Sequence, residues 1–185
     1  MRIREKLKDI ERETRYNLAI AGEGEPKIVL VGNTHYSWNR YICSIIQNAG
    51  MDVVLSEDLV DSNLRNGSFE HGRFYKNGTL IQQTNIKNAP VRDYVHGLDV
   101  MVRGVENTNL DTIREREIHF YNKIMGQVRE GKSVVAEVGH VHAASGGILH
   151  KELMSSGVPC AILYLPEFIG TQKEPIELQR EFRSS

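Results

Sequence analysis

The chain has 185 residues and a mass of 21.0 kDa, which suits one domain with its own core, and no segment has the composition of a linker. Its 23 Lys and Arg residues balance 24 Asp and Glu residues, so the formal net charge of -1 offers no basic field for nucleic acid. No apolar run approaches the roughly 18 residues of a membrane span, and the charged segment 1–16 does not resemble a secretory leader. We therefore expect a soluble, cytoplasmic single domain over residues 1–185, with neither nucleic acid nor a membrane as partner.

The first third of the chain predicts a helix followed by two strands. Residues 1–22 predict an amphipathic N-terminal helix, because apolar residues recur there at helical spacing and glycines follow. The short apolar segments 27–32 and 52–56 are typical of strands buried on both faces of a parallel sheet. A helix from about 38 to 48 is predicted to connect them.

The middle segment 61–96 has little core content and is predicted to be an insertion. Within it, GRFYKNGTLIQ predicts a β-hairpin that turns at Asn77-Gly78, a dipeptide that tolerates the positive φ angles of a tight turn. We expect this hairpin insertion to be a candidate lid over a site.

The second half of the chain continues the alternation of strands and helices. The predicted elements are strand 99–106, helix 110–130, strand 133–139, helix 144–155 and strand 160–165. Asn109 is the predicted N-cap of the long helix, and Gly131 lies just past its end. This order predicts an α/β fold with a mainly parallel β-sheet, flanked by helices on both faces, and a small β-hairpin insertion.

Acidic residues and histidines follow the predicted strands. They are His35 after the first strand, Glu57 after the second, Glu106 after the third, and His140 and His142 after the fourth. Because the carboxyl ends of parallel strands meet at one edge of a sheet, these side chains are expected to converge. A glycine precedes His35 and His142 by three residues, where it would let the strand turn sharply and a ligand approach.

Two kinds of hydrolysis are compatible with these residue types. Imidazole nitrogens and carboxylate oxygens suit zinc, manganese or cobalt, and a bound metal makes water nucleophilic near neutral pH. Without a metal, a histidine base and a pair of carboxylates with different pKa values could divide the acid and base roles. Both interpretations make the protein a hydrolase.

The motifs VGNTH and VGHVH, the glutamates of LSED and RGVEN, and the ERE segment resemble one superfamily: TraB/PrgY/GumN proteins, Tiki proteases, ChaN and erythromycin esterases. The resemblance covers about Ile28 to Leu165. It implies an active site of His35, Glu57, Glu106 and His142, with Arg116 as its positively charged member. Tiki-like members are regarded as metal-dependent proteases, erythromycin esterases as metal-free His/Glu hydrolases, and ChaN as a haem-binding protein.

Two orientations stay open at this point. Helical periodicity favours Arg114 as the arginine facing the site, because it is nearer the apolar stripe, whereas the resemblance implies Arg116. His140 and His142 are predicted to alternate across the end of one strand, so that one of them faces away.

The leading hypothesis is metal-assisted hydrolysis of a peptide or ester, with a small or peptide-like substrate. The candidate metal ligands are His35, Glu57, Glu106, His142 and His140, and His35 is the expected general base if no metal binds. The alternative is a non-catalytic protein of the same fold that binds a metal, haem or a small ligand. A third interpretation is a scaffold whose polar strand ends only cap backbone groups. A homo-oligomer is left open.

Overall fold

In a computed structural model of the protein, the structure describes residues 2–33, 45, 49–60, 68–70, 73–76, 79–83, 101–106 and 110–166. The elements are α1 (Ile3–Glu13), β1 (Asn17–Ala21), β2 (Ile28–Asn33), β3 (Val53–Val60), β4 (Ser68–Glu70), β5 (Arg73–Lys76), β6 (Thr79–Gln83), β7 (Met101–Glu106), α2 (Ile113–Arg129), β8 (Val134–Gly139), α3 (His140–Ala143), α4 (Ile148–Ser155) and β9 (Cys160–Tyr164). Ile45, within the predicted helix 38–48, is helical, and so is Ala49 just after the predicted end.

Six strands form one mixed sheet in the order β1-β9-β2-β8-β3-β7. All neighbouring strands in it run parallel except β1, which is antiparallel to β9. The α/β class and the mainly parallel sheet are therefore confirmed. β8 lies between β2 and β3, so its carboxyl end is next to the ends of both.

The N-terminal helix is shorter than predicted, because residues 17–21 form the edge strand β1 instead. Ile3, Leu7 and Ile10 bury the apolar face of α1, so no later residue is needed for its packing. The hydroxyl of Thr14 donates to the Ile10 carbonyl (2.6 Å) and accepts from the Tyr16 amide (3.1 Å), which ends the helix. The prediction of a helix over 1–22 is thus wrong after residue 13.

The predicted hairpin is present, with β5 antiparallel to β6 from Arg73 opposite Gln83 to Lys76 opposite Thr79. A third strand, β4, pairs with β5 and makes a separate three-stranded sheet. The turn at Asn77-Gly78 lies outside the described residues, as does most of the candidate lid 61–96.

The second half differs from prediction at two helix boundaries. Thr112, not Asn109, is the N-cap of α2, because Thr112 and Glu115 form a reciprocal capping box. Gly131 follows the helix with a φ of 84°, as predicted for a glycine past a helix end. The helix predicted over 144–155 begins only at residue 148. A separate turn, α3, precedes it, and Gly146 between the two has a φ of 97° that a continuous helix excludes.

Two clusters of buried apolar residues make the core of the described chain. Ile28 and Leu30 of β2 belong to one cluster, which includes residues of α2 and α4. Val29 and Val31 belong to the other, which includes residues of α1. Among the described residues, no helix is long and apolar enough to cross a membrane.

Candidate functional site

The candidate site lies beside Glu57 in β3 and at the carboxyl ends of β7 and β8. The second strand was predicted to end at residue 56, but β3 continues through a register shift to Val60, so Glu57 lies within the strand rather than after it. β3 runs parallel to both neighbours, so Glu57, Glu106 at the end of β7, and the α3 turn after β8 meet at one edge of the sheet. Arg116 from the first turn of α2 contacts the same region. The structure thus brings four predicted residues together, namely Glu57, Glu106, His142 and Arg116. His35 lies outside the described residues.

Glu57 is the buried carboxylate that joins these elements. Its Oε2 accepts a hydrogen bond from the backbone N–H of Gly139 at 2.6 Å, and its Oε1 accepts from Arg116 Nη2 at 2.5 Å. The last backbone pair between β3 and β8 is Ser56 with Glu137. Beyond that pair, the Glu57 side chain accepts the hydrogen bond of the Gly139 N–H in place of backbone pairing with β3. This holds the carboxylate between β3 and the end of β8.

Arg116 bridges two carboxylates through one nitrogen. Its Nη2 donates to Glu57 Oε1 and to Glu106 Oε2, both at 2.5 Å, and its guanidinium lies 5.8 Å from the centre of the Phe120 ring. The Nε atom is buried and has no hydrogen-bond partner among the described residues. Arg116 is 23% exposed, so most of the charge is withdrawn from water and depends on the two glutamates for compensation.

Arg114 is exposed, so the choice that periodicity favoured is wrong. Phe120 and Gln127 are both buried on α2. Their positions show that the buried face of the helix includes the side on which Arg116 lies. Glu117 is the most buried polar residue of the helix. The resemblance identified the arginine that contacts Glu57 and Glu106.

His142 lies between two carboxylates and is only 1% exposed. Its Nε2 is 3.5 Å from Glu57 Oε1, and its Nδ1 is 3.4 Å from Glu117 Oε1. The edge of the ring meets Phe120 with centroids 5.1 Å apart. Burial lowers the pKa of His142, but the contacts with Glu117 and Glu57 raise it by more, so the net direction is upward and favours the imidazolium.

His140 occupies a different place from His142, although both are buried. The strand alternation predicted for them is wrong, because both belong to the helical turn α3. A Cβ on Gly32 would lie 3.3 Å from His140 Nδ1 and 2.9 Å from the Ala143 Cβ. Gly32 therefore allows α3 to pack closely on β2. Its φ is not positive, so the sharp turn predicted at this glycine is not its role.

Sequence reasoning missed two buried acids next to the site. Glu117 of α2 contacts His142 and accepts a hydrogen bond from the Leu149 N–H at 3.0 Å. Glu137 of β8 accepts a hydrogen bond from the Ser56 hydroxyl at 3.2 Å. The available signal was a charged residue inside an otherwise apolar strand or helix face, since such residues are rarely buried unless paired.

The donor atoms at the site are engaged with one another in a way that fits a resident metal poorly. Arg116 stands between Glu57 and Glu106, where a divalent cation would need their oxygens, and both ring nitrogens of His142 face carboxylates. The described part of the chain contains no group of three or more His, Cys, Asp or Glu side chains that could hold a metal ion. For the same reason, neither ring nitrogen of His142 is available as a haem ligand.

The chain matches no family model, no curated protein and no solved structure. The superfamily resemblance therefore stays a prediction. The chemistry that the described residues allow is proton donation from a buried imidazolium and anion stabilisation by a partly buried guanidinium.

Proposed function

We propose that the protein is a hydrolase of peptide or ester bonds, of the TraB/Tiki/erythromycin-esterase type. One observation carries the proposal: His142 lies between Glu57 and Glu117, beside an arginine that bridges Glu57 and Glu106. Full or partial burial of these five interacting ionisable groups at a sheet edge costs desolvation free energy that a purely structural role could avoid with apolar residues.

In the proposed reaction, Arg116 stabilises the oxyanion that forms when water attacks, and His142 protonates the leaving group. Water adds to the carbonyl carbon, and its proton passes to a general base, the role expected for His35 if no metal binds. The carbonyl oxygen becomes an oxyanion, which the remaining N–H groups of Arg116 stabilise. The carbon–oxygen or carbon–nitrogen bond then breaks, and the leaving group takes a proton from the His142 imidazolium. The raised pKa of His142 suits this donor role better than a base role.

Glu57 and Glu106 hold the guanidinium in this scheme, and Glu57 also orients the imidazolium. A zinc, manganese or cobalt ion, if bound with His35 and these residues, would supply a metal-activated water instead. The contacts of Arg116 favour the metal-free form, in which the guanidinium is the cation of the site.

We also propose that helices cover both faces of the main sheet. Successive strand residues point to opposite faces. Ile28 and Leu30 pack with residues of α2 and α4, whereas Val29 and Val31 pack with residues of α1. The candidate site is then next to the face covered by α2.

The test is a hydrolysis screen with matched variants. Chromogenic esters, aminoacyl amides and short peptides are offered to chelator-treated protein and to protein supplied with each metal. Arg116→Gln is compared with Arg114→Gln on the exposed side of the same helix, and His142→Gln and Glu57→Gln with Glu152→Gln. We expect turnover without metal, lost by about 10²- to 10⁴-fold in His142→Gln and unchanged in Arg114→Gln and Glu152→Gln.

Three outcomes would contradict this proposal in different ways. Turnover that requires a metal and persists in Arg116→Gln would replace the metal-free mechanism by the metal-assisted one. Binding of a metal, haem or small ligand without turnover would favour the non-catalytic alternative. If neither turnover nor binding depends on His142 or Glu57, the scaffold interpretation is correct.

A further inference from the structure

Glu117 is a buried acid that the proposed reaction does not use directly. Its side chain is 3% exposed, and a buried carboxylate is costly unless hydrogen bonds and opposite charge offset its desolvation. Each of its two oxygens has a separate contact.

One oxygen is held by the backbone. Oε2 accepts from the N–H of Leu149 in the first turn of α4, whose N-cap, Gly147, has no side chain to do so. A Cβ on Gly147 would lie 3.4 Å from Glu117 Oε2 and 3.2 Å from the Ala144 carbonyl oxygen. The glycine thus leaves room for the carboxylate to reach the helix end. Because a backbone N–H can only donate, the contact fixes the orientation of Glu117.

The other oxygen faces His142. Oε1 lies 3.4 Å from Nδ1, while Glu57 Oε1 lies 3.5 Å from Nε2 on the far side of the ring. Both carboxylates compete for the ring proton, but they are not equivalent. Glu57 Oε1 also accepts from Arg116, whose charge weakens it as an acceptor. Within the part of the chain that the structure describes, Glu117 has no ion pair with a side chain other than His142.

We propose that Glu117 is a positioning residue that holds the Nδ1–H of His142 and so makes Nε2 the nitrogen that transfers a proton. The inference rests on the proposed function only in that the transferred proton goes to the leaving group. The tautomer itself follows from the contacts of Glu117. With Nδ1–H retained, the proton that His142 loses departs from Nε2, on the side of the ring that faces Glu57 and the Arg116 guanidinium.

Glu117→Gln is the informative variant, because its shape is unchanged. The amide oxygen can still accept from the Leu149 N–H and preserve the cap of α4. The amide NH₂ would then face Nδ1 of His142, where a donor opposes Nδ1–H and favours the Nε2–H tautomer. A merely structural role for Glu117 predicts no such change.

The experiment is nitrogen NMR of the histidine rings in the full chain, at alkaline pH where the ring is neutral. Wild type, Glu117→Gln and the surface control Glu152→Gln are compared, and the His142 signals are identified by their loss in His142→Gln. We expect Nδ1–H in wild type and in Glu152→Gln, and a shift toward Nε2–H in Glu117→Gln.

An Nε2–H ring in the wild type would overturn the inference, whether or not any variant folds. Retention of the Nδ1–H tautomer in folded Glu117→Gln would also overturn it. The hydrolysis screen is read separately: a tautomer switch in a protein without turnover retains the Glu117 inference and rejects the proposed function. Turnover that depends on His142 in a protein without the tautomer switch retains the proposed function and rejects the Glu117 inference.

Discussion

Removal of the Arg116 charge should destabilise the protein strongly, because it leaves Glu57 and Glu106 facing each other. Breaking a buried ion pair by deleting one partner costs about 3 to 5 kcal/mol. Arg116 is 23% and Glu106 18% exposed, so water recovers part of that cost. We expect Arg116→Met, which retains the apolar stem, to lower the free energy of unfolding by about 2 to 4 kcal/mol.

The measurement is urea unfolding followed by circular dichroism at neutral pH, with Arg114→Met as the matched control. Arg114 is exposed, so its replacement should change stability by less than about 0.5 kcal/mol. For a chain of this length, the Arg116 effect corresponds to a Tm lower by about 4 to 16 °C. Adding Glu57→Gln to Arg116→Met should recover part of the loss, since one unpaired charge is then removed. Equal effects of Arg116→Met and Arg114→Met would refute the bridged arrangement.

Two further predictions concern packing and pH. Gly32→Ala should destabilise the protein by about 1 to 3 kcal/mol in the same unfolding assay, because its Cβ would lie 2.9 Å from the Ala143 Cβ. Gly126→Ala in α2 should instead stabilise by about 0.5 to 1 kcal/mol, because no described atom outside the helix's own nearby backbone lies within 4 Å of the new Cβ. Changes of the same sign in both variants would contradict the packing. Hydrogen bonds from the backbone and hydroxyl of Ser133 hold the pKa of Asp52 below its ordinary value of 3.8. The stabilisation that these bonds give is therefore fully present above the unfolded-state pKa, and it is lost as the pH falls through the lower pKa of the folded state. The wild type should therefore exceed Asp52→Asn in stability at neutral pH, by less than about 1 kcal/mol at this exposed site, and the difference should shrink in acid; a constant difference would exclude the linkage.

Much of the fold could be predicted from local patterns. The apolar segments that became β2, β8 and β9 are continuous because parallel central strands are buried on both faces, and that pattern is visible in sequence. Glu57 and Glu106 could be placed at one edge for the same reason, since parallel strands bring their carboxyl ends together.

Other features depended on partners distant in sequence. Residues 17–21 carry apolar side chains that suit either a helix or a strand, and pairing with β9 selects the strand. Helical periodicity favoured Arg114 over Arg116, because it counts apolar residues of one helix. The contacts that place Arg116 at the site are with Glu57 and Glu106 of two strands.

The sequence by itself determined the α/β class, the approximate positions of the main strands, and the placement of Glu57, Glu106 and His142 toward one edge of the sheet, because burial and turn preferences are local. Only the tertiary structure decided that Arg116 bridges Glu57 and Glu106. It alone also decided that His142 lies between Glu57 and Glu117. These contacts join residues far apart in the chain, and the free energy of a buried charge depends on which opposite charge folding brings beside it.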